Sequence, residues 1–115
     1  MITWRDFTKI DSRAGKMVKA ELFEGAKKPT FRLWVDLGSG LGIKKSSAQI
    51  TSLYQPKYLI DKQVVCVINF PPKQIADFIS EVFVIGFPTE QGHVVLTSVD
   101  KSVPNGARLY QLVHL

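Results

Sequence analysis

Alternation of apolar and polar residues dominates the chain. Over residues 30–37, Phe31, Leu33, Val35 and Leu37 share one face while Arg32, Trp34 and Asp36 share the other, the period of a half-buried strand. Residues 17–23 alternate likewise, with Val18, Ala20 and Leu22 against Lys19, Glu21 and Phe23. Residues 63–70 are apolar on both faces through Val64, Val65, Cys66, Val67 and Ile68, the pattern of a central strand. Further strands are expected over residues 82–87, 93–97 and 107–113. Helical signals are short. Thr3 with Asp6 three residues later predicts an N-terminal cap for a helix over residues 4–10. Ser46 or Ser47 is expected to cap a helix over residues 48–54, which Pro56 then ends. Turns fall at Gly25 to Pro29, Gly38 to Gly42, Pro71-Pro72, Pro88 to Gly92 and Pro104-Asn105-Gly106. Five or six short strands with two short helices predict an all-β domain, a small barrel or sandwich. Gly15, near the start of the first strand, suits a sharply bent barrel strand.

A length of 115 residues suits one domain over residues 1–115, and 45% hydrophobic residues exclude wholesale disorder. The net charge of +5 is uneven: residues 1–57 carry 11 basic and 5 acidic side chains, a net of +6, and residues 58–115 carry 4 and 5, a net of −1. One end of the sequence is therefore a candidate anion-facing surface. The lone cysteine excludes an intrachain disulfide and fits a reducing compartment. The longest apolar runs are strand-sized, so no membrane insertion is expected. The opening Met1-Ile2-Thr3-Trp4-Arg5-Asp6 lacks a signal layout, and a cytoplasmic protein is the expectation.

Tests for catalysis fail on spacing. In Gly38-Ser39-Gly40-Leu41-Gly42-Ile43-Lys44-Lys45-Ser46 the second glycine of a phosphate loop is missing, because position 43 is Ile and position 45 is Lys. No glycine stands three after Gly40 or Gly42, so the dinucleotide fingerprint fails too, and a loop between a strand and a helix is expected. His93 and His114 have no partners at metal spacing. Cys66 lies within the most apolar strand and reads as packing. No catalytic residue, metal or cofactor is expected.

Aromatics at strand ends or on polar faces (Trp34, Phe23, Phe70, Phe78) interleave with Arg32, Lys27, Lys28, Lys44, Lys45 and Lys73. On a small barrel such a mixture serves single-stranded nucleic acid by stacking and charge. It also serves extended polypeptide, since charge-rimmed apolar grooves bind unfolded segments. Equally, Trp34 and Phe70 fill a core or a dimer interface.

The wording of the chain resembles the OB-fold tRNA-binding-domain family, found free-standing and appended to some aminoacyl-tRNA synthetases. The resemblance covers nearly the whole length. Asp11-Ser12-Arg13-Ala14-Gly15 matches the family's Asp-x-Arg-x-Gly opening, and Leu33-Trp34-Val35-Asp36-Leu37-Gly38 its second strand. Ile43-Lys44-Lys45-Ser46-Ser47-Ala48-Gln49-Ile50 and Val67-Ile68-Asn69-Phe70-Pro71-Pro72-Lys73-Gln74-Ile75-Ala76 are similar to the export-chaperone branch. Ser80-Glu81-Val82 and Val103-Pro104-Asn105-Gly106 continue the match. Synthetase-type members carry Asn-Ala-Asp-Lys-Leu-Tyr where this chain has Ala26-Lys27-Lys28-Pro29-Thr30-Phe31, and Ser-x-Gly-Met where it has Ser80-Glu81-Val82-Phe83. Both departures favour the chaperone branch. Asp77 stands where the family has glycine, and a positive φ there would strain an Asp.

The resemblance implies a five-stranded OB-fold barrel with short helices and terminal extensions that form a homodimer. The extensions are residues 4–10 and 107–115, with Trp4, Phe7, Ile10, Leu109, Leu112 and Leu115 as interface residues. It implies a non-enzymatic chaperone that binds unfolded preproteins for the secretion machinery. An extended segment would lie in an apolar groove lined by Trp34, Phe70, Pro71, Pro72 and Ile75, with Lys44, Lys45 and Lys73 meeting its charges or the translocase. The alternative implied is tRNA binding: Lys27, Lys28, Arg32, Lys44 and Lys45 on phosphates, and Ser46, Ser47, Gln49 and Asn69 on bases or sugars. Ser80 and Glu81, in the matching loop, complete the candidate surface.

Overall fold

The computed structural model describes residues 1–110. Its spine is β1 (Ser12–Leu22), an 11-residue strand long enough to serve two neighbours. The first half pairs antiparallel with β4 (Gln63–Val67), from Ser12 opposite Val67 to Lys16 opposite Gln63. The second half pairs antiparallel with β2 (Phe31–Asp36), from Lys16 opposite Asp36 to Leu22 opposite Phe31. The strand changes partner beside Gly15, where a Cβ would stand 2.4 Å from Val35 Cγ1 and 2.7 Å from Leu37 Cδ2. Glycine is required there by close approach, as the bent-strand expectation has it.

β3 (Ile43–Ala48) adds to β2, and β7 (Phe83–Val84) adds to β4, giving the order β3-β2-β1-β4-β7. The two ends of the sheet meet through isolated hydrogen bonds rather than a ladder: Val84 N donates to Ser46 Oγ at 3.3 Å, and the amides of Glu81 and Val82 donate to Lys45 O. The result is a nearly closed five-stranded barrel, the OB-fold architecture. Two hairpins stand on it: β5 (Lys73–Ile75) with β6 (Phe78–Ser80), and β8 (Gly86–Pro88) with β9 (Val94–Leu96). Met17, Leu33, Val35, Leu37, Leu59, Val64 and Cys66 form the heart of the core. Each large apolar side chain buried there contributes about 1.5–3 kcal/mol.

The helix α1 (Trp4–Thr8) carries the expected capping box in both directions: Asp6 N donates to Thr3 Oγ1 and Thr3 N to Asp6 Oδ2. It is two residues shorter than the expected 4–10. The second expected helix, over 48–54, is absent. Ser46, Ser47 and Ala48 instead pair with Leu33, Arg32 and Phe31 as part of β3. Pro56 starts the helix α2 (Pro56–Leu59) rather than ending one, since a first-turn residue needs no amide hydrogen. The glycine-rich loop therefore joins two strands, not a strand to a helix.

The alternation over 17–23 is broken. A bulge between Met17 and Lys19 leaves Met17 fully buried, Val18 exposed and Leu22 exposed, while Phe23 turns inward. The expected strand 82–87 is two strands interrupted at Ile85, whose amide goes to Val65 O and whose carbonyl takes Thr97 N. The strand expected over 107–113 appears, within the described residues, only as a bridge between Arg13 and Arg108. The left-handed residue of the β5–β6 turn is Ala76, at φ 53, not Asp77.

Candidate ligand-binding surfaces

Adjacent strand residues point to opposite faces, and this divides the candidate residues into separate surfaces. On the outer face of β1–β3, Trp34 stands opposite Lys45 on β3 and Lys19 on β1. Lys19 Nζ lies 4.5 Å from the Trp34 ring centroid, and Lys45 Nζ lies 5.3 Å from that of Phe78. The Arg32 guanidinium lies over Phe23 at 5.0 Å and Phe78 at 5.9 Å, and its Nη2 pairs with Glu21. Phe78 in turn meets Phe23 and Trp34 edge-on. Phe23 and Phe78 are only 4% and 6% exposed, so neither offers a free face for stacking. The expected aromatic platform is covered by the chain's own cations.

Several expected contact residues are engaged within the protein. Ser46 and Ser80 are fully buried. Ser46 Oγ accepts from Val84 N, and Ser80 Oγ accepts from Ser47 N and donates to Val82 O, so both seal the barrel from inside. Glu81 Oε1 accepts from Lys45 N at 3.1 Å, and this pins the loop to β3. Asn69 uses both ends of its amide to tie α1 to the barrel, donating to Lys9 O at 2.7 Å and accepting from Asp11 N at 3.0 Å.

The groove expected from Trp34, Phe70, Pro71, Pro72 and Ile75 is not one site. Ile75 lines a groove of about 870 Å³ between β5 and the end of β3, floored by Ile50, Phe83, Val84 and Val94. Ser47 and Gln49 form one bank, and Lys27, Lys28 and Lys73 its charged rim. Phe70, 57% exposed, lies outside this groove with its ring edge-on to Phe83 at 5.6 Å. With Pro72, Leu41 and Ile68 it lines a second hollow of about 260 Å³, flanked by Lys44 and Glu81. Lys44 and Lys45 therefore serve different surfaces, and Trp34 belongs to neither hollow. Pro71 is exposed beside the second hollow. Lys19 and Phe83 escaped sequence reasoning. Lys19 becomes visible only through the β1–β2 register, and Phe83 through its cross-loop contact with Phe70.

The terminal residues do meet. Arg108 Nη2 donates to Thr8 O and Leu109 N to Ser12 O, which brings Trp4, Phe7, Ile10, Leu109 and Tyr110 around one shallow apolar hollow. Asp11 anchors the arrangement: Arg13 Nε donates to its Oδ1 at 2.6 Å, Arg13 Nη1 to Gly106 O, and Arg108 Nε lies 3.5 Å from Oδ1. The Arg13 hydrogen bond holds the Asp11 carboxyl below the usual carboxylate range. Leu112 and Leu115 lie outside the described residues. The Cys66 thiol is fully buried and burial pushes its pKa up to about 12, which leaves it inert packing. Among the described residues no group of His, Cys, Asp and Glu could hold a metal, and no helix is long and apolar enough to cross a membrane.

A five-stranded barrel with cations laid over aromatic rings on strands 1–3, and apolar hollows at its flank, belongs to the OB-fold class of binding barrels. Residues 13–108 match the family described as "Putative tRNA binding domain", and the chain belongs to that family. The crystal structure of the chaperone CsaA from Bacillus anthracis str. Ames is 47% identical with a TM-score of 0.88, over 95% of this chain and 98% of that one. The CsaA chaperone protein from Picrophilus torridus is also 47% identical, with a TM-score of 0.87 over 95% and 99%. The Methionine--tRNA ligase of Methanocaldococcus jannaschii is 32% identical over 101 residues, or 88% of this chain. The chain spans only 15% of that ligase's length.

Proposed function

We propose that this protein is a non-enzymatic, CsaA-like chaperone, a single OB-fold domain over residues 1–115 that holds unfolded preproteins in the cytoplasm as a homodimer. The observation that carries the reading is the open groove with its floor of Ile50, Ile75, Phe83, Val84 and Val94. An unfolded segment gains from burying apolar side chains there, at about 25 cal/mol for each Å². Phe70 and Pro72 extend the apolar surface beyond Phe83, and Lys44 and Lys73 stand where a client's charges or the translocase would meet them. The patch of Trp4, Phe7, Ile10, Leu109 and Tyr110 supports pairing of two barrels, because it gathers Trp4, Ile10, Leu109 and Tyr110, all exposed apolar side chains, in one place. Two grooves in one dimer raise avidity for a long client. Binding of a fluorescently labelled denatured preprotein tests the reading. Phe70→Ser is expected to weaken it several-fold while the thermal transition stays put, since Phe70 is more than half exposed. Unchanged affinity removes Phe70 from the site.

A second reading, tRNA binding, is favoured by a different observation. Lys19 and Lys45 lie on the outer face of β1–β3, where OB-folds hold oligonucleotides. In that reading the affinity falls steeply with salt, with a slope near the number of phosphate contacts. A flat salt response sinks it.

A further inference from the structure

We propose that the groove beside β5 takes its client as an added strand, and that it selects apolar segments flanked by acidic residues. The inference rests on the chaperone reading above and names the clients that reading leaves open. β5 pairs with β6 alone, which leaves its other edge without a backbone partner among the described residues. Ile75 and Phe78 close the two-residue turn Ala76-Asp77 and so form the hydrogen-bonded pair of this hairpin. Opposed pairs alternate along an antiparallel ladder, so Gln74 and Ile79 are the pair whose amide and carbonyl groups point outward. Gln74 lines the groove, and the Gln74 backbone therefore offers one donor and one acceptor to a chain lying in it. Ser47 to Ile50 form the opposite bank of the groove.

Side chains of an added strand point alternately down and up. Those pointing down meet Ile75, Phe83, Val84 and Val94. Those at the ends meet Lys27, Lys28 and Lys73, the only charged side chains among the described residues that line the groove. All three are exposed, and none takes part in an ion pair among the described residues. Lys27 and Lys28 sit on the β1–β2 connection and Lys73 on β5, so charge stands on two sides of the apolar floor. Such a rim repels basic segments as much as it attracts acidic ones, and the discrimination is the sum of both effects.

The test uses the full chain and two synthetic nonapeptides that share an alternating Leu and Ser centre, one with glutamate pairs at both ends and one with lysine pairs. Fluorescence anisotropy at low salt is expected to give the glutamate peptide about tenfold tighter binding. The variant carrying Lys27→Glu, Lys28→Glu and Lys73→Glu, all surface changes, is expected to reverse the order. Methylating alternate peptide amides in one register is expected to abolish binding, while the other register is spared. Equal affinity for the two peptides, an order that survives the triple reversal, or indifference to the methylated register overturns the proposal. So does a triple reversal that abolishes tRNA binding and leaves the peptides untouched, because the groove then belongs to RNA. A denatured preprotein that binds the triple variant as well as the parent, with the peptide order unreversed, removes this site and leaves the chaperone reading standing. A glutamate peptide that binds and reverses, with no preprotein binding to the parent chain, does the converse.

Discussion

Replacing Gly15 by Ala tests whether the barrel depends on the close crossing of β1 over the end of β2. The added methyl would lie 2.4 Å from Val35 Cγ1, 2.7 Å from Leu37 Cδ2 and 3.1 Å from Asp36 O. Carbon atoms in favourable contact stand about 3.5–4.0 Å apart. Val35 and Leu37 are themselves almost fully buried and have nowhere to retreat, and the third neighbour is backbone. Overpacking of this kind costs about 1–3 kcal/mol, and two apolar clashes with a backbone contact place Gly15→Ala near about 2 kcal/mol. With an unfolding entropy of about 2.1 cal/mol/K for each residue, a 115-residue chain loses about 8 °C in Tm. Gly40→Ala is the internal control. Its Cβ meets nothing within 4 Å and its φ is not left-handed, so the variant is expected to match or slightly exceed the parent. Thermal unfolding followed by circular dichroism reads both. A Gly15→Ala transition within about 2 °C of the parent, or a Gly40→Ala loss of the same size, refutes the crossing as a constraint.

Three further outcomes follow from the structure. Asp11 has a lowered folded pKa, so its contribution is present above the ordinary carboxylate value and lost as pH falls through the folded one. The stability gap between parent and Asp11→Asn, about 1 kcal/mol by urea unfolding at pH 7, closes below about pH 4, and a gap constant across that range contradicts the Arg13 pairing. Cys66 has a raised folded pKa, so the opposite sign holds: relative to Cys66→Val, the parent loses about 1.4 kcal/mol for each pH unit as pH rises above 9.0 toward about 12, and parallel profiles refute its burial as a neutral thiol. Leu109→Asp, placed in the apolar hollow with Trp4 and Tyr110, is expected to convert a dimer to a monomer by light scattering at about 10 µM; a parent chain that is already monomeric there contradicts the pairing surface.

Where one local rule acted alone, the fold could be read from the chain. The alternation over residues 30–37 became β2 with Phe31, Leu33 and Val35 inside, and Gly15 proved to be the crossing point. The Thr3 and Asp6 pair formed the cap it spells. Errors arose where two rules competed. Serine 46 and its neighbour Ser47 favour helix caps, but a vacant edge of β2 gave their backbones better partners. Pro56 fits either the end or the first turn of a helix, and only the tertiary placement of Leu59 decides between them. The bulge at Val18 carries no composition signal, yet it reverses which of Val18, Leu22 and Phe23 is buried. The candidate site was legible as a set of residue types and not as a place. Lys44-Lys45 reads as one basic pair, but neighbours in a strand face opposite ways, and the two lysines serve different surfaces. Lys73 is far in sequence from Lys27 and Lys28, and the three line one groove only because the β5–β6 hairpin lies beside the end of β3.

The functional conclusion turns on which polymer the barrel holds, and a single competition tests it most directly. A labelled, denatured preprotein is bound to the protein near physiological salt, and unlabelled tRNA is titrated in while anisotropy is followed. The chaperone account predicts that preprotein binding survives excess tRNA, while unlabelled preprotein displaces it. A preprotein that does not bind, or that tRNA displaces in a salt-sensitive manner, would contradict that account and assign the barrel to RNA.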